Sequence, residues 1–175
     1  SIHWTASNRV SPVKGFSEPL LERGIIVCSS WAANGVAVAE FCLGQILLAC
    51  KGYFRNTRDC RTPEGRRSAF RNPGIFDETV AILGAGMIGS IVIELLRPFQ
   101  LQVVVSDPYL DDARAEELGV ERVDLDTAFR RALVVSNHIA NLPATVGMLR
   151  GEHFAAMRSG AAFINTGRGA TVREE

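Results

Sequence analysis

A short apolar run over residues 79–83 passes directly into Gly84-Ala85-Gly86-Met87-Ile88-Gly89, and eighteen residues past the last of these glycines stands one acid, Asp107. Glycines at this spacing, after a strand and at the opening of a helix, make a cradle for a dinucleotide. One glycine turns the chain sharply, one lets the backbone approach a pyrophosphate, and one lets helix and strand pack closely. The phosphates would rest on free N–H groups at a helix N-terminus, where the dipole favours negative charge. Asp107 is placed to accept hydrogen bonds from ribose hydroxyls and to repel a 2′-phosphate, which favours NAD over NADP. A turn or cap role before Pro108 is the other reading of Asp107.

A second constellation, Phe163-Ile164-Asn165-Thr166-Gly167-Arg168-Gly169, ends a buried strand in a small-residue turn that carries one arginine. A guanidinium fixed there would face the same cleft, and arginine grips a carboxylate in a planar two-bond geometry that lysine cannot match. The alternative is an ordinary surface arginine. His138, at another strand end, has the residue type of a proton donor, because imidazole titrates near neutrality; a structural histidine is the competing reading.

These residues need a scaffold that brings strand ends together. From residue 79 the pattern alternates as βα units demand. Strands are expected at 79–83, 101–106, 133–137 and 161–165, with a weaker one at 121–123, and helices at 87–97, 111–118, 126–132 and 146–157. Asp111 and Asp126 stand where N-caps belong, Gly119 where a C-terminal glycine belongs, and Pro98 limits its helix at Arg97. The fold class is α/β, a doubly wound, mostly parallel Rossmann-like sheet, incomplete at its C-terminal end, with ligands at the carboxyl ends of its strands.

Upstream the pattern is different. Residues 1–23 read as loops, 25–28 as a short buried strand, and 36–50 as a buried helix too short to span a membrane, with Asn34 able to cap it. Residues 51–72 carry seven cations against Asp59 and Glu64, and read as a solvated connector or an oligomer arm.

The chain has 175 residues, 47% of them hydrophobic and 22% charged, with a formal net charge of zero, which fits one soluble domain and a fragment of a second. That balance gives no reason to expect a nucleic-acid or membrane partner. Cys28, Cys42, Cys50 and Cys60 form no C-x-x-C pair, and His3, His138 and His153 are far apart, so no metal site is expected. Without a visible signal peptide, reduced thiols point to the cytoplasm.

The run from Asn165 to Glu175 resembles the signature of the D-isomer-specific 2-hydroxyacid dehydrogenases. The segments 24–40, 79–108 and 134–145 are similar to that family's lead-in to its interdomain helix, its nucleotide fingerprint, and the stretch beneath the nicotinamide ribose. Resemblance covers residues 24–175, with four motifs in the family's order. It implies an NAD-dependent oxidoreductase that reduces a 2-oxo acid to a 2-hydroxy acid, with residues 1–30 a remnant of the substrate domain. Residues 31–175 would then be the dinucleotide-binding domain, including the interdomain helix and basic connector.

By the same resemblance Arg168 anchors the substrate carboxylate and polarises its carbonyl. Gly84, Gly86, Met87, Ile88, Gly89, Asp107 and Pro108 hold the adenosine and pyrophosphate, and His138, Ala140, Thr145, Thr166 and Gly167 line the nicotinamide side. Asn34 resembles a substrate-contacting asparagine of the formate dehydrogenase branch. A homodimer is implied. Departures stand at Trp31, Ala32, Leu133, Ala140 and Gly167, which leave branch and substrate open. Family members continue with a glutamate and a histidine that supply the proton, and Glu174 and Glu175 are not that glutamate. These 175 residues alone are therefore expected to bind NAD and to turn over poorly. An NAD-sensing corepressor-like module is the alternative, and a methyltransferase the remotest reading, because it leaves the Arg168 motif unexplained.

Overall fold

The computed structural model describes residues 22–24, 31–69 and 75–174. Five parallel strands make one sheet: β1 (Glu78–Leu83), β2 (Leu101–Ser106), β3 (Glu121–Arg122), β4 (Val134–Asn137) and β5 (Ala162–Asn165). Their spatial order is β3-β2-β1-β4-β5, so the chain builds outward from β1 on one side and then returns to build outward on the other. Leu83 is level with Ser106 of β2 and with Asn137 of β4, which sets the carboxyl ends of all three strands side by side. Such a reversal point is where open α/β sheets bind ligands.

β1 is apolar on both faces because both faces are covered. Val80 and Ile82 pack with Val92, Ile93 and Leu96 of helix α4 (Met87–Leu96) and with Ala39, Cys42 and Ile46 of helix α1 (Trp31–Cys50). Ala81 and Leu83 point the other way, into a layer with Ala128 and Phe129 of helix α6 (Leu125–Arg131). There Phe129, Phe154 and Phe163 form a cluster of edge-on and stacked rings. Each fully buried side chain of this size is worth about 1.5–3 kcal/mol, so the central strands are anchored from both sides.

The all-parallel doubly covered sheet agrees with the expected fold class, and each expected strand from residue 79 onward is present to within one residue. Three local expectations are corrected. Helix α1 already includes Trp31, so Asn34 lies inside it and caps nothing. Its buried hydrophobic residues, Ala39, Cys42, Ile46, Ala49 and Cys50, form one helical stripe, while Val36, Phe41 and Leu48 on the rest of its surface are exposed. The helix is thus buried on one face only; by length and composition it could cross a membrane, and here its stripe packs on the sheet and α4.

Asp124, not Asp126, caps α6, accepting the Thr127 N–H at 2.7 Å. Starting one residue after Asp124 puts Leu125, Ala128, Phe129 and Ala132 on one buried face, a spacing that the later start would cut short.

The helix expected at 146–157 shrinks to α7 (Gly151–Ala155). Gly147 turns at φ 66°, and the backbone after it pairs with the C-terminal segment instead. Gly147 donates to the Ala170 carbonyl at 2.8 Å, Leu149 to Thr171 at 3.0 Å, and Arg173 back to Leu149 at 2.8 Å.

The basic segment forms two short helices, α2 (Tyr53–Asp59) and α3 (Pro63–Arg67). Arg55 and Arg58 pair with Asp59, and Arg67 pairs with Glu64, all at the surface. The strand expected at 25–28, the segment 1–21, and residues 70–74 lie outside the described residues. Helix α5 (Asp112–Leu118) carries the expected caps, with the Asp111 carboxylate on the Arg114 N–H and Gly119 left-handed at φ 68°.

Candidate functional site

The glycine turn is shaped by contacts that sequence spacing only hints at. Gly84 sits at φ 88°, and a Cβ there would lie 3.1 Å from the His138 carbonyl oxygen, so β4 closes over the turn. At Gly89 a Cβ would overlap the Gly84 carbonyl oxygen, which is why helix α4 can start so close beneath β1. Gly86 is the contrary case. It is the N-cap of α4 in an extended conformation, with no side chain capping the helix and nothing within 4 Å of where a Cβ would be. The first-turn N–H groups of a helix have no partner within it, so the start of α4 offers donors beside the open space at Gly86; Met87, Ile88 and Gly89 do not line the groove over the strand ends, and Gly89 is buried. An anionic pyrophosphate fits such a cradle.

Asp107 stands just past the end of β2. Its Oδ2 accepts the Ala85 N–H at 2.7 Å and its Oδ1 accepts the Tyr109 N–H at 2.8 Å. The carboxylate therefore fixes the glycine turn in place, and with about four lone-pair positions it keeps acceptors to spare for hydroxyls. The turn reading of Asp107 is realised, and the same geometry leaves acceptor positions open for the ligand reading.

A groove of about 410 Å³ runs over these strand ends. Of the residues singled out by sequence, Gly84, Gly86, Asp107, Pro108, His138, Ala140 and Thr145 line it together. Tyr109, Arg114, Leu125 and Met148 line it too, and sequence reasoning passed over them. Tyr109 follows the acid and the proline directly and is almost fully exposed. Arg114, one turn into α5, is the groove's cation and pairs with Glu117 at 2.6 Å. Its position three residues past a recognised N-cap was the available signal.

His138 does not look outward as an acid. Burial pushes its imidazole down to about 4, and its Nε2 shares a 2.9 Å hydrogen bond with the buried Ser136 hydroxyl. It is neutral near pH 7 and forms part of the groove wall. Thr145 closes the adjoining turn: its hydroxyl donates to the Ala140 carbonyl at 2.6 Å and accepts the Leu142 N–H at 2.9 Å.

Thr166, Gly167 and Arg168 stand in the turn after β5, the next strand over, beyond the residues that line the groove. Thr166 shares a 3.2 Å contact with the Cys42 thiol, which ties this turn to α1. Burial raises the Cys42 pKa, so the thiol stays protonated. Arg168 is half-buried; its guanidinium touches only the Gly167 carbonyl at 3.4 Å, and it enters no ion pair among the described residues. A half-buried cation without a carboxylate is a ready acceptor of one.

Asn34 is exposed on α1 and lies outside the groove. Its neighbour Gly35 is buried against Met87 and Ile88, which brings that end of α1 to the first turn of the cradle helix.

Similarity to known proteins agrees with this geometry. A family model described as "D-isomer specific 2-hydroxyacid dehydrogenase, NAD binding domain" matches residues 43–175. D-3-phosphoglycerate dehydrogenase of Mycobacterium tuberculosis (strain ATCC 25618 / H37Rv) is 34% identical over 152 residues, covering 87% of this chain and 29% of that protein. Hydroxypyruvate reductase of Thermotoga maritima is 29% identical over 154 residues, covering 88% of this chain and 49% of its own. Among solved structures, the apo-structure of D-lactate dehydrogenase from Escherichia coli superposes with a TM-score of 0.76 at 27% identity, over 97% of this chain and 54% of that one. The chain thus spans between about a third and a half of the length of these relatives.

Proposed function

The chain belongs to the D-isomer specific 2-hydroxyacid dehydrogenase family, and from that premise we propose that it serves the NAD-dependent reduction of a small 2-oxo acid to the 2-hydroxy acid. The observation that carries the reading is the placement of a half-buried arginine with no carboxylate partner among the described residues, Arg168, in the turn after β5, two strands across from a glycine cradle with an acid at its rim. NAD, when bound, supplies or takes the hydride. Every other part falls to the chain. The α4 N-terminus holds the pyrophosphate; Asp107 and Pro108 flank the adenosine ribose. His138, Ala140 and Thr145 line the path toward the nicotinamide, with Thr166 and Gly167 at its far end.

Arg168 fixes the substrate carboxylate and leans positive charge on the carbonyl oxygen as the bond order falls, a contribution made where charge develops. The donor of the final proton is not His138, because its burial holds it neutral. His153 is no better placed: its Nδ1 accepts the Arg150 N–H at 2.8 Å and its ring packs on Phe129. Neither of these two histidines is placed to give that proton, and general acid help of that kind is worth about 10²–10⁴-fold.

Residues 31–175 make up the nucleotide-binding unit in this account, and residues 1–30 its lead-in from a substrate domain. The exposed Val36, Phe41 and Leu48 of α1, with Tyr53 and Phe54 of α2 beside them, support a homodimer through that face. Oxamate, the unreactive amide analogue of pyruvate, tests the anchor. Added to the NADH-saturated chain, it should bind and shift NADH fluorescence, and Arg168→Ala should weaken it about 10–100-fold with NADH affinity intact, as expected for a charged hydrogen-bonded pair. Oxamate binding that ignores Arg168 would remove the substrate half of the proposal.

A further inference from the structure

The β4–β5 ladder closes on the pair Asn137↔Asn165. Beyond it lie the two loops that carry His138 and Arg168, and side chains take over from strand pairing. Asn137 is fully buried, an expensive place for an amide unless its polar atoms are met. They are: Nδ2 donates to the Thr171 hydroxyl at 2.9 Å and to Asn165 Oδ1 at 3.2 Å, while Oδ1 accepts the Ile139 N–H at 3.1 Å. Each partner passes the tie onward. The Thr171 hydroxyl, also fully buried, donates to the Arg168 carbonyl at 2.9 Å, and Asn165 Oδ1 accepts the Gly167 N–H at 3.1 Å.

One amide therefore links the backbone at 139, in the groove wall, to the backbone at 167 and 168, in the turn that bears the guanidinium. A leucine would fill the same space with no polar atoms to satisfy; what the amide adds is direction, since a satisfied buried network specifies one arrangement. We propose that Asn137 is a positioning residue that couples the loop after β4 to the Arg168 turn and so holds the guanidinium ready for a substrate carboxylate. The proposal rests on the reading of Arg168 as the anchor.

NADH and oxamate affinities of the full chain, measured in series, test it. Asn137→Leu should leave the NADH Kd within about threefold and weaken oxamate about tenfold, the usual worth of a buried hydrogen bond. Thr171→Val keeps the shape, removes the hydroxyl that joins Asn137 Nδ2 to the Arg168 carbonyl while the Thr171 N–H stays on that carbonyl, and should give a similar loss; it decides the matter if Asn137→Leu does not fold. The double variant should lose no more than the larger single, because both changes break one chain of bonds. Equal losses of NADH and oxamate, unchanged oxamate, or additive losses would each overturn the positioning role. Oxamate that fails to bind the unaltered chain, or binds Arg168→Ala equally well, would instead remove the anchor itself and the proposal with it.

Discussion

At the scale of single residues, environment decides what each candidate group does. Residue type alone makes His138 look like an acid while the family resemblance puts it in the groove wall; it lines the groove, and burial pushes its imidazole down to about 4. That has a consequence for stability. Folded His138 resists a proton that the unfolded chain accepts below its ordinary value near 6.5, so the unfolded state binds more protons between about pH 6.5 and 4. Stability should therefore be full above pH 6.5 and fall as acid is added through that window, by up to about 3 kcal/mol. Thermal melts of the protein and of His138→Gln across pH 4–7.5 check this; the variant should show a shallower decline, and parallel curves would contradict the assignment. Asp107 shows the opposite kind of outcome: the residue type and spacing named it, and the structure gives it a second task, holding Ala85 and Tyr109 by their N–H groups. The Asn137, Asn165 and Thr171 network was invisible to sequence reasoning, since an asparagine at a strand end reads as a turn residue until the fold brings residue 171 beneath it.

At the scale of elements, what sequence made legible was whatever repeats with a clear period or carries an obligatory cap. The central strands, α4 and α5 followed from apolar runs, the glycine turn, Asp111 and Gly119. Misreadings fell where two local signals competed. Asp124 and Asp126 are both good caps, and only the buried stripe from Leu125 to Ala132 chooses between them. The apolar residues between 146 and 157 mimic a helix, yet Gly147 and the pairing of Leu149 with Val172 commit that backbone elsewhere. The glycine turn itself yields a paired prediction. Gly89→Ala places a methyl against the Gly84 carbonyl and should cost at least about 1–3 kcal/mol, seen as a Tm lowered by roughly 3–10 °C. Gly86→Ala meets open space in the protein, so its Tm should hold while NADH binding weakens, because the methyl occupies the cradle. Calorimetry and NADH titration of both variants check the pair, and reversed outcomes would mean the two glycines have been given each other's roles.

At the scale of the whole molecule, a five-stranded parallel sheet covered on both faces presents one candidate ligand edge and, among the described residues, one exposed apolar helix surface. The edge collects Gly84, Asp107 and His138 just past the ends of three adjacent strands, with Arg168 in the turn after a fourth. The helix face exposes Phe41 at 57% and Val36 at 47%. Light scattering should give twice the protomer mass for the protein and a single mass for Phe41→Glu; a monomer at micromolar concentration would remove the homodimer from the account. Everything else depends on whether the glycine cradle and Asp107 hold NAD. Side-by-side fluorescence titrations with NADH and NADPH test that claim most directly. The account predicts saturable NADH binding, with NADPH at least about tenfold weaker because the Asp107 carboxylate meets a like charge. Absence of saturable NADH binding, or NADPH bound equally well, would contradict it.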